Sequence, residues 1–369
     1  MSIQVSYKKQ ITFFLILFLV IIIFIESGAR IYEFVNPYCG LLHSDAFDET
    51  DWYTLRWVCL DTNSLEWIED PILLYTPNQS FTTIHINDFG FRGPDINKEK
   101  DIGTYRIFVV GGSTTFGYGS TSDYTTISGY LQEEFQNNHS FKNIEVINGG
   151  IGHATSFEEK YLIQNTIAEF SPDLIIIFDG WNDGRLRKID GMLPLGIVDS
   201  DKDPFKFKNY PFYRTPFVIW ANIIRHYEVI TAFAQAPISP EIEKTTTDLW
   251  VQNIKDVCKT QKERNTKTII FLQPNVWSGN KNLSDGELDI NKTKAHVLEP
   301  VNRILDNFAV HLDDLENSCA GAMDLRNIFD NTKKPVFYDE VHLNDLGNEI
   351  IAKKIYEKII PLVLEDTTK

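Results

Sequence analysis

Three residues in this chain of 369 could do chemistry together. Ser113 follows Arg106-Ile-Phe-Val-Val-Gly-Gly112, an apolar, β-branched run that ends in two glycines. Its hydroxyl is therefore presented at a strand exit, where a helix should begin, rather than in a core. A serine there is a nucleophile only if a neighbour takes its proton. Asp339 and His342, three apart in Tyr338-Asp-Glu-Val-His342, fit that need. The carboxylate can hold one imidazole nitrogen while the other faces a hydroxyl. Each also has a plainer reading: Gly-Gly-Ser turns are common at strand ends, and Asp339 and His342 can pair structurally.

The elements that must position these residues read as alternating strands and helices. Short, continuously apolar runs at 107–110, 145–148, 173–178, 268–273 and 322–328 predict strands of a parallel sheet covered on both faces. Helical stretches are expected near 125–137, 156–170, 243–264, 295–317 and 345–364, the last capped by Asn344 or Asp345. Five such units predict a three-layer α/β/α sandwich with a five-stranded, mostly parallel, doubly wound sheet. In such sheets ligands sit at the carboxyl ends of the strands. Ser113 follows the first strand, Asn148-Gly-Gly-Ile-Gly-His-Ala-Thr155 the second, and Asp179-Gly-Trp-Asn-Asp-Gly184 the third, so all three cassettes fall on one edge. Asn182 and Asp183 can also make a tight turn with Gly180 and Gly184, Asp183 bonding within that turn, and His153 can be an exposed loop residue.

Two regions break the rhythm. Residues 31–100 are rich in Trp, Tyr, Asp and Pro and include Asn87-Asp-Phe-Gly-Phe-Arg-Gly93, read as a turn followed by a strand end. They form an N-terminal extension packed on a core of 101–369. Residues 184–240 carry Tyr210, Phe212, Tyr213, Phe217, Trp220 and Tyr227, an insertion suited to a lid or substrate wall, or to core packing.

The composition is 43% hydrophobic and 23% charged, that of a globular chain with a substantial core. A formal charge of -16 argues against nucleic acid or other polyanions as partners. No Cys-x-x-Cys or histidine cluster suggests a metal, and nothing calls for a cofactor.

Residues 1–30 stand apart. Lys8 and Lys9 precede fifteen residues, 11–25, with one Thr and no charge. At about 1.5 Å per residue that is roughly 22 Å of helix, and extending to Ala29 makes up a bilayer's depth while including Glu26. A transmembrane signal anchor with a cytoplasmic N-terminus is the favoured reading. The alternative is secretion after signal cleavage at Ser27-Gly-Ala29. Both export the rest of the chain. Four sequons, at Asn78, Asn138, Asn282 and Asn291, agree with a glycoprotein. Among Cys39, Cys59, Cys258 and Cys319 the pairing Cys39–Cys59 with Cys258–Cys319 is one of three, and buried free thiols are the alternative.

Taken in order, the cassettes resemble blocks I, II, III and V of the SGNH (GDSL-type) hydrolase superfamily over roughly residues 104–364. Gly-Gly-Ser113-Thr resembles the Gly-Asp-Ser-Leu block with Gly112 in place of Asp, Gly180-Trp-Asn182-Asp183 resembles Gly-x-Asn-Asp, and Asp339-Glu-Val-His342 resembles Asp-x-x-His. The resemblance implies a flavodoxin-like fold and a serine esterase. Ser113 would be the nucleophile, His342 the base and Asp339 its orienter. The oxyanion hole would comprise the Ser113 N–H, a block II N–H and the Asn182 amide. The family's block II glycine lies five residues after the Asn, which here is His153, with Gly152 one short. Either N–H stays a candidate, His153 ahead.

These readings imply an exported, membrane-anchored esterase of acylated small molecules, surface glycans or lipids, acting on carboxylic esters. The alternatives are an O-acyltransferase acting on glycans and a catalytically silent glycan-binding module of the same fold.

Overall fold

The computed structural model describes residues 6–35, 39–68, 74–138, 141, 143–186 and 239–367. The chain divides into two compact units, residues 1–39 with 198–237, and 40–197 with 238–369.

In the first unit one helix, α1 (Tyr7–Val35), is described. Its segment Tyr7–Tyr32 is 26 residues long with a mean hydropathy of 2.7, long and apolar enough to cross a membrane; a signal sequence has the same character. The helix runs on past the apolar run at both ends, because Lys8 and Lys9 at one end and Glu26 and Arg30 at the other are all good helix formers. Glu26 accepts from Arg30 one turn on, at 3.0 Å.

The second unit is built on five strands: β1 (Tyr105–Gly111), β2 (Ile144–Gly150), β3 (Leu174–Asp179), β4 (Lys267–Leu272) and β5 (Gly321–Asp324). All five are parallel, in the order β2-β1-β3-β4-β5. Every residue of β1 and β3 is buried, as a strand covered on both faces requires. The sheet is thus wholly rather than mostly parallel. The edge strand β5 is shorter than its apolar run. Arg326 turns the chain at Asp324, donating to its carboxylate through the backbone N–H at 2.9 Å, and pairing stops there.

Helices flank this sheet. α4 (Ile127–Asn137) packs on the closing helix α11 (Asp345–Thr367), while α5 (Ser156–Asn165), α7 (Pro240–Glu263) and α9 (Ala295–Val310) form the other group, as right-handed crossovers demand. Asn344 is the cap of α11, accepting from the Gly347 N–H at 3.0 Å. Asp345 bonds Thr121 instead. Cys258 and Cys319 form a disulfide with Cα atoms 5.0 Å apart, and no cysteine among the described residues is free.

Four helices were not legible as periodic runs: α2 (Trp52–Thr62), the single turns α3 (Ser113–Phe116) and α6 (Trp181–Leu186), and α8 (Asp285–Thr293). α10 (Leu312–Ser318) continues α9 after a break at His311. Of the aromatic-rich insertion, residues 187–238 lie outside the described residues.

The order β2-β1-β3 makes the chain wind outward in opposite directions from β1 and β3. The crevice between their carboxyl ends receives α3 and α6, which carry Ser113 and Asn182.

Candidate active site

Two glycines let β1 end where it does. A Cβ on Gly111 would stand 2.2 Å from the Phe178 carbonyl oxygen, and one on Gly112 would stand 2.4 Å from the Asn182 amide nitrogen. No side chain fits either gap, so β1 and β3 approach closely enough to bring Ser113 and Asn182 together. Gly112 is the cap of α3 and Ser113 its first residue.

α3 is too short to hold itself in place. Its last carbonyls are held by Arg92, whose Nη1 donates to Gly117 O at 2.8 Å and Phe116 O at 3.2 Å. The Arg92 side chain is 1% exposed and pairs with Asp123 at 2.7 Å. Asn148 adds two donations, to Thr115 O and Phe116 O. Arg92 belongs to the Asn87–Gly93 segment. Asn87 Oδ1 accepts from the Phe89 and Phe91 N–H groups, and Gly90 takes φ +84°, so the segment is the expected turn. Arg92 then bridges to Asn148 on β2.

At the other end of the chain Asp339 folds its own loop. Its Oδ1 accepts from the Val341 N–H at 3.0 Å and the His342 N–H at 2.8 Å, while Oδ2 meets His342 Nδ1 at 2.7 Å. The opposite ring nitrogen, Nε2, lies 2.6 Å from Ser113 Oγ. Burial works against the charged form of Asp339, but the imidazole and the N–H donors outweigh it and hold the carboxyl down at about 2. The loop is supported from behind by Glu287 at the start of α8, wholly buried, which accepts from the Val336 and Phe337 N–H groups and pairs with buried Lys281 at 2.6 Å. Ser284-x-x-Glu287 is a capping box, a signal visible in the sequence that marks the helix but not the second duty of its carboxylate.

Asn182 Nδ2 donates to Ala154 O at 2.7 Å, which leaves the second N–H of that amide. Asp183 meets the Asp179 carboxyl within its own cassette, and its bonds do not stop there. It reaches across to α5, accepting from the Ser156 N–H at 2.8 Å and Oγ at 2.6 Å. This contact ties the block II segment to the segment bearing Asn182.

Within block II the two candidate donors differ. The Gly152 N–H donates to the Tyr75 hydroxyl at 3.2 Å. His153 is exposed and holds φ +63°, the left-handed conformation usually reserved for glycine.

Two features of the site escaped sequence reasoning. One is a set of rings: Tyr118 and Tyr338 each lie with centroids 5.7 Å from His342, at 28° and 18° to its plane. The other is a buried group of acids behind Asn182. Asp179 accepts from Trp250 Nε1 at 3.0 Å, and burial pushes its carboxyl up to about 6. Glu159, 2% exposed, is pushed well above its ordinary range by burial and by the Asp179 and Asp183 charges. The signal was the Asp179–Asp183 spacing, which places both acids at one strand end; Glu159 enters from a separate helix.

The arrangement is a hydroxyl on an imidazole on a carboxylate, with an amide donor beside the hydroxyl. That set can deprotonate an alcohol for attack on a carbonyl and receive the negative charge that develops.

The model of the GDSL-like lipase/acylhydrolase family matches residues 109–350. Among solved structures, the acetyl xylan esterase AlAXEase is 16% identical, with 69% of this chain and 99% of that one covered and a TM-score of 0.40. Axe2, an acetylxylan esterase from Geobacillus stearothermophilus, is 15% identical, with 70% and 96% covered and a TM-score of 0.42. TesA is 14% identical, with 70% and 99% covered and a TM-score of 0.41. No curated protein matches the chain. The family model spans both halves of the site, from β1 to the start of α11, and the chain belongs to the GDSL-like lipase/acylhydrolase family, an ester-bond hydrolase.

Proposed function

We propose that the chain is an exported serine esterase, tethered to the membrane by α1, that removes O-acyl groups from surface glycans. Ser113 Oγ attacks the ester carbonyl carbon as His342 Nε2 takes its proton. Asp339 keeps the proton of the other ring nitrogen and stabilises the imidazolium. The tetrahedral oxyanion is held by the Ser113 N–H, the His153 N–H and the Asn182 amide. His342 then gives its proton to the leaving alcohol, and water repeats the sequence on the acyl-Ser113 intermediate to release the acid.

The observation that carries this reading is the unbroken relay Asp339–His342–Ser113, with contacts of 2.7 and 2.6 Å. His153 is preferred to Gly152 because it lies five residues after Asn148, the spacing of the block II donor. The anchor is supported by the length and apolarity of α1, and the glycan by an acidic chain that repels polyanions but not neutral sugars.

A fluorophosphonate probe tests the mechanism, because it reacts only with an activated serine. Intact protein should label within minutes, and Ser113→Ala should not. Folded protein that fails to label would exclude Ser113 as nucleophile.

A further inference from the structure

The acyl and alcohol sides of an ester leave a serine site in different directions. If His342 protonates the leaving alcohol, as in the reading above on which this inference rests, the alcohol departs alongside the imidazole. Rings that border His342 therefore border the alcohol rather than the acyl group.

From one such ring, Tyr118, a continuous series leads away from His342. Tyr118 lies beside His342, Phe116 meets Tyr118 edge-on at 5.3 Å, Tyr75 covers Phe116 at 4.4 Å, and Trp67 lies over Tyr75 at 4.1 Å. The series folds back onto block II. A Cβ placed on Gly152 would be 2.8 Å from the Tyr118 hydroxyl oxygen and 2.9 Å from Trp67 Cη2. Trp67 therefore stands in contact with the residue that precedes His153. Tyr75 and Phe116 are fully buried and serve as its support, while Trp67 and Tyr118 are only half-buried.

Trp67 is held there by a two-residue antiparallel pairing, Trp67–Ile68 on Leu74–Tyr75, with Trp67 directly opposite Tyr75. Trp67 and Tyr75 precede residue 109, where the family match begins, and Tyr118 lies within it.

We propose that Trp67 and Tyr118 form a binding surface for the alcohol half of the substrate, and that this half is a neutral sugar. A rigid indole fixed on a buried support offers a flat apolar face at little cost in side-chain entropy. The C–H face of a pyranose matches it. Trp67 is then a specificity-determining residue contributed by the N-terminal segment.

The test uses the full-length chain in mild detergent, with acetylated cellotetraose and ethyl acetate as paired substrates. Trp67→Leu should raise KM for acetylated cellotetraose about tenfold and lower its kcat/KM relative to ethyl acetate by a similar factor. An unchanged ratio would overturn the proposal. Should Trp67→Leu fail to fold, Trp67→Phe keeps a ring on Tyr75 while trimming the indole, and should lower the same ratio about threefold; no shift there has the same force. A second arm is independent of turnover: unacetylated cellotetraose is titrated calorimetrically into Ser113→Ala with and without Trp67→Leu. Binding weakened about tenfold supports the sugar surface even if fluorophosphonate labelling fails and the esterase mechanism with it. Labelling with binding that ignores Trp67 retains the mechanism and removes the sugar surface.

Discussion

Asp339 and Asp179 are both aspartates at the carboxyl edge of one sheet, and their environments drive them in opposite directions. Asp339 is held down at about 2, Asp179 pushed up to about 6. Burial disfavours charge in both, so burial is not what separates them. Asp339 faces an imidazole and N–H donors. Asp179 has the Trp250 indole N–H but shares its surroundings with Glu159 and Asp183. The lesson is that donors hold the front carboxylate in its charged form, whereas burial and mutual repulsion push the rear acids toward their neutral form.

The largest effect should come from breaking the front pair. Asp339→Asn keeps the size of the side chain but reverses the tautomer it enforces, and kcat should fall by about 10⁴, as loss of a triad carboxylate does elsewhere. Steady-state kinetics on a chromogenic acetate ester measures this; a loss under tenfold would reduce Asp339 to a structural residue.

Next is the residue between the two regions. In the proposed mechanism the Asn182 amide holds the oxyanion, so with Asn182→Ala kcat should fall about 10²–10³-fold with KM little changed, since that interaction is made in the transition state. A rise in KM with constant kcat would instead mark Asn182 as a ground-state binder.

Breaking the rear contact should cost stability first. Asp183→Ala leaves the Ser156 N–H and hydroxyl without their acceptor, at about 1–3 kcal/mol, read from the urea midpoint. A midpoint within error of the parent would make that contact energetically idle.

The smallest effect sharpens the comparison through pH. A carboxyl whose folded value is raised adds stability that is complete below its unfolded value near 4 and is lost as pH rises through the folded value. Glu159 behaves so, facing Asp179 and Asp183 with Glu158 on its own helix. Glu159→Gln keeps a hydrogen-bond donor and removes the titration, so its melting temperature should exceed the parent's by a few degrees at pH 8 and match it at pH 4. Asp339 has the opposite sign, its contribution present above about 4 and lost as pH falls toward 2. Parallel melting curves for Glu159→Gln and parent across that range would show that Glu159 is not protonated in the fold.

Much of this site was legible locally. Apolar runs of β-branched residues marked five strands, because a strand covered on both faces is apolar along most of its length. Asp339 and His342 were legible as a unit because a three-residue spacing closes in one turn. Asp183 was legible only in part: glycines on either side suggested a self-contained turn, but its carboxyl oxygens also accept at the start of α5. Arg92 stood in a segment recognised as a turn, yet nothing nearby reveals that its guanidinium crosses to the end of α3.

By itself the sequence determined the alternation of elements, the three polar strand ends and the acid–base couple, all of which depend on contacts within a few residues. Only the tertiary structure decided that Ser113 meets His342, 229 residues away, and that Trp67 reaches Gly152. It also decided that Asp179 and Asp339 carry opposite perturbations. These outcomes depend on strand order and on which buried groups face one another, and a low-dielectric interior makes each such neighbour count far more than its distance along the chain.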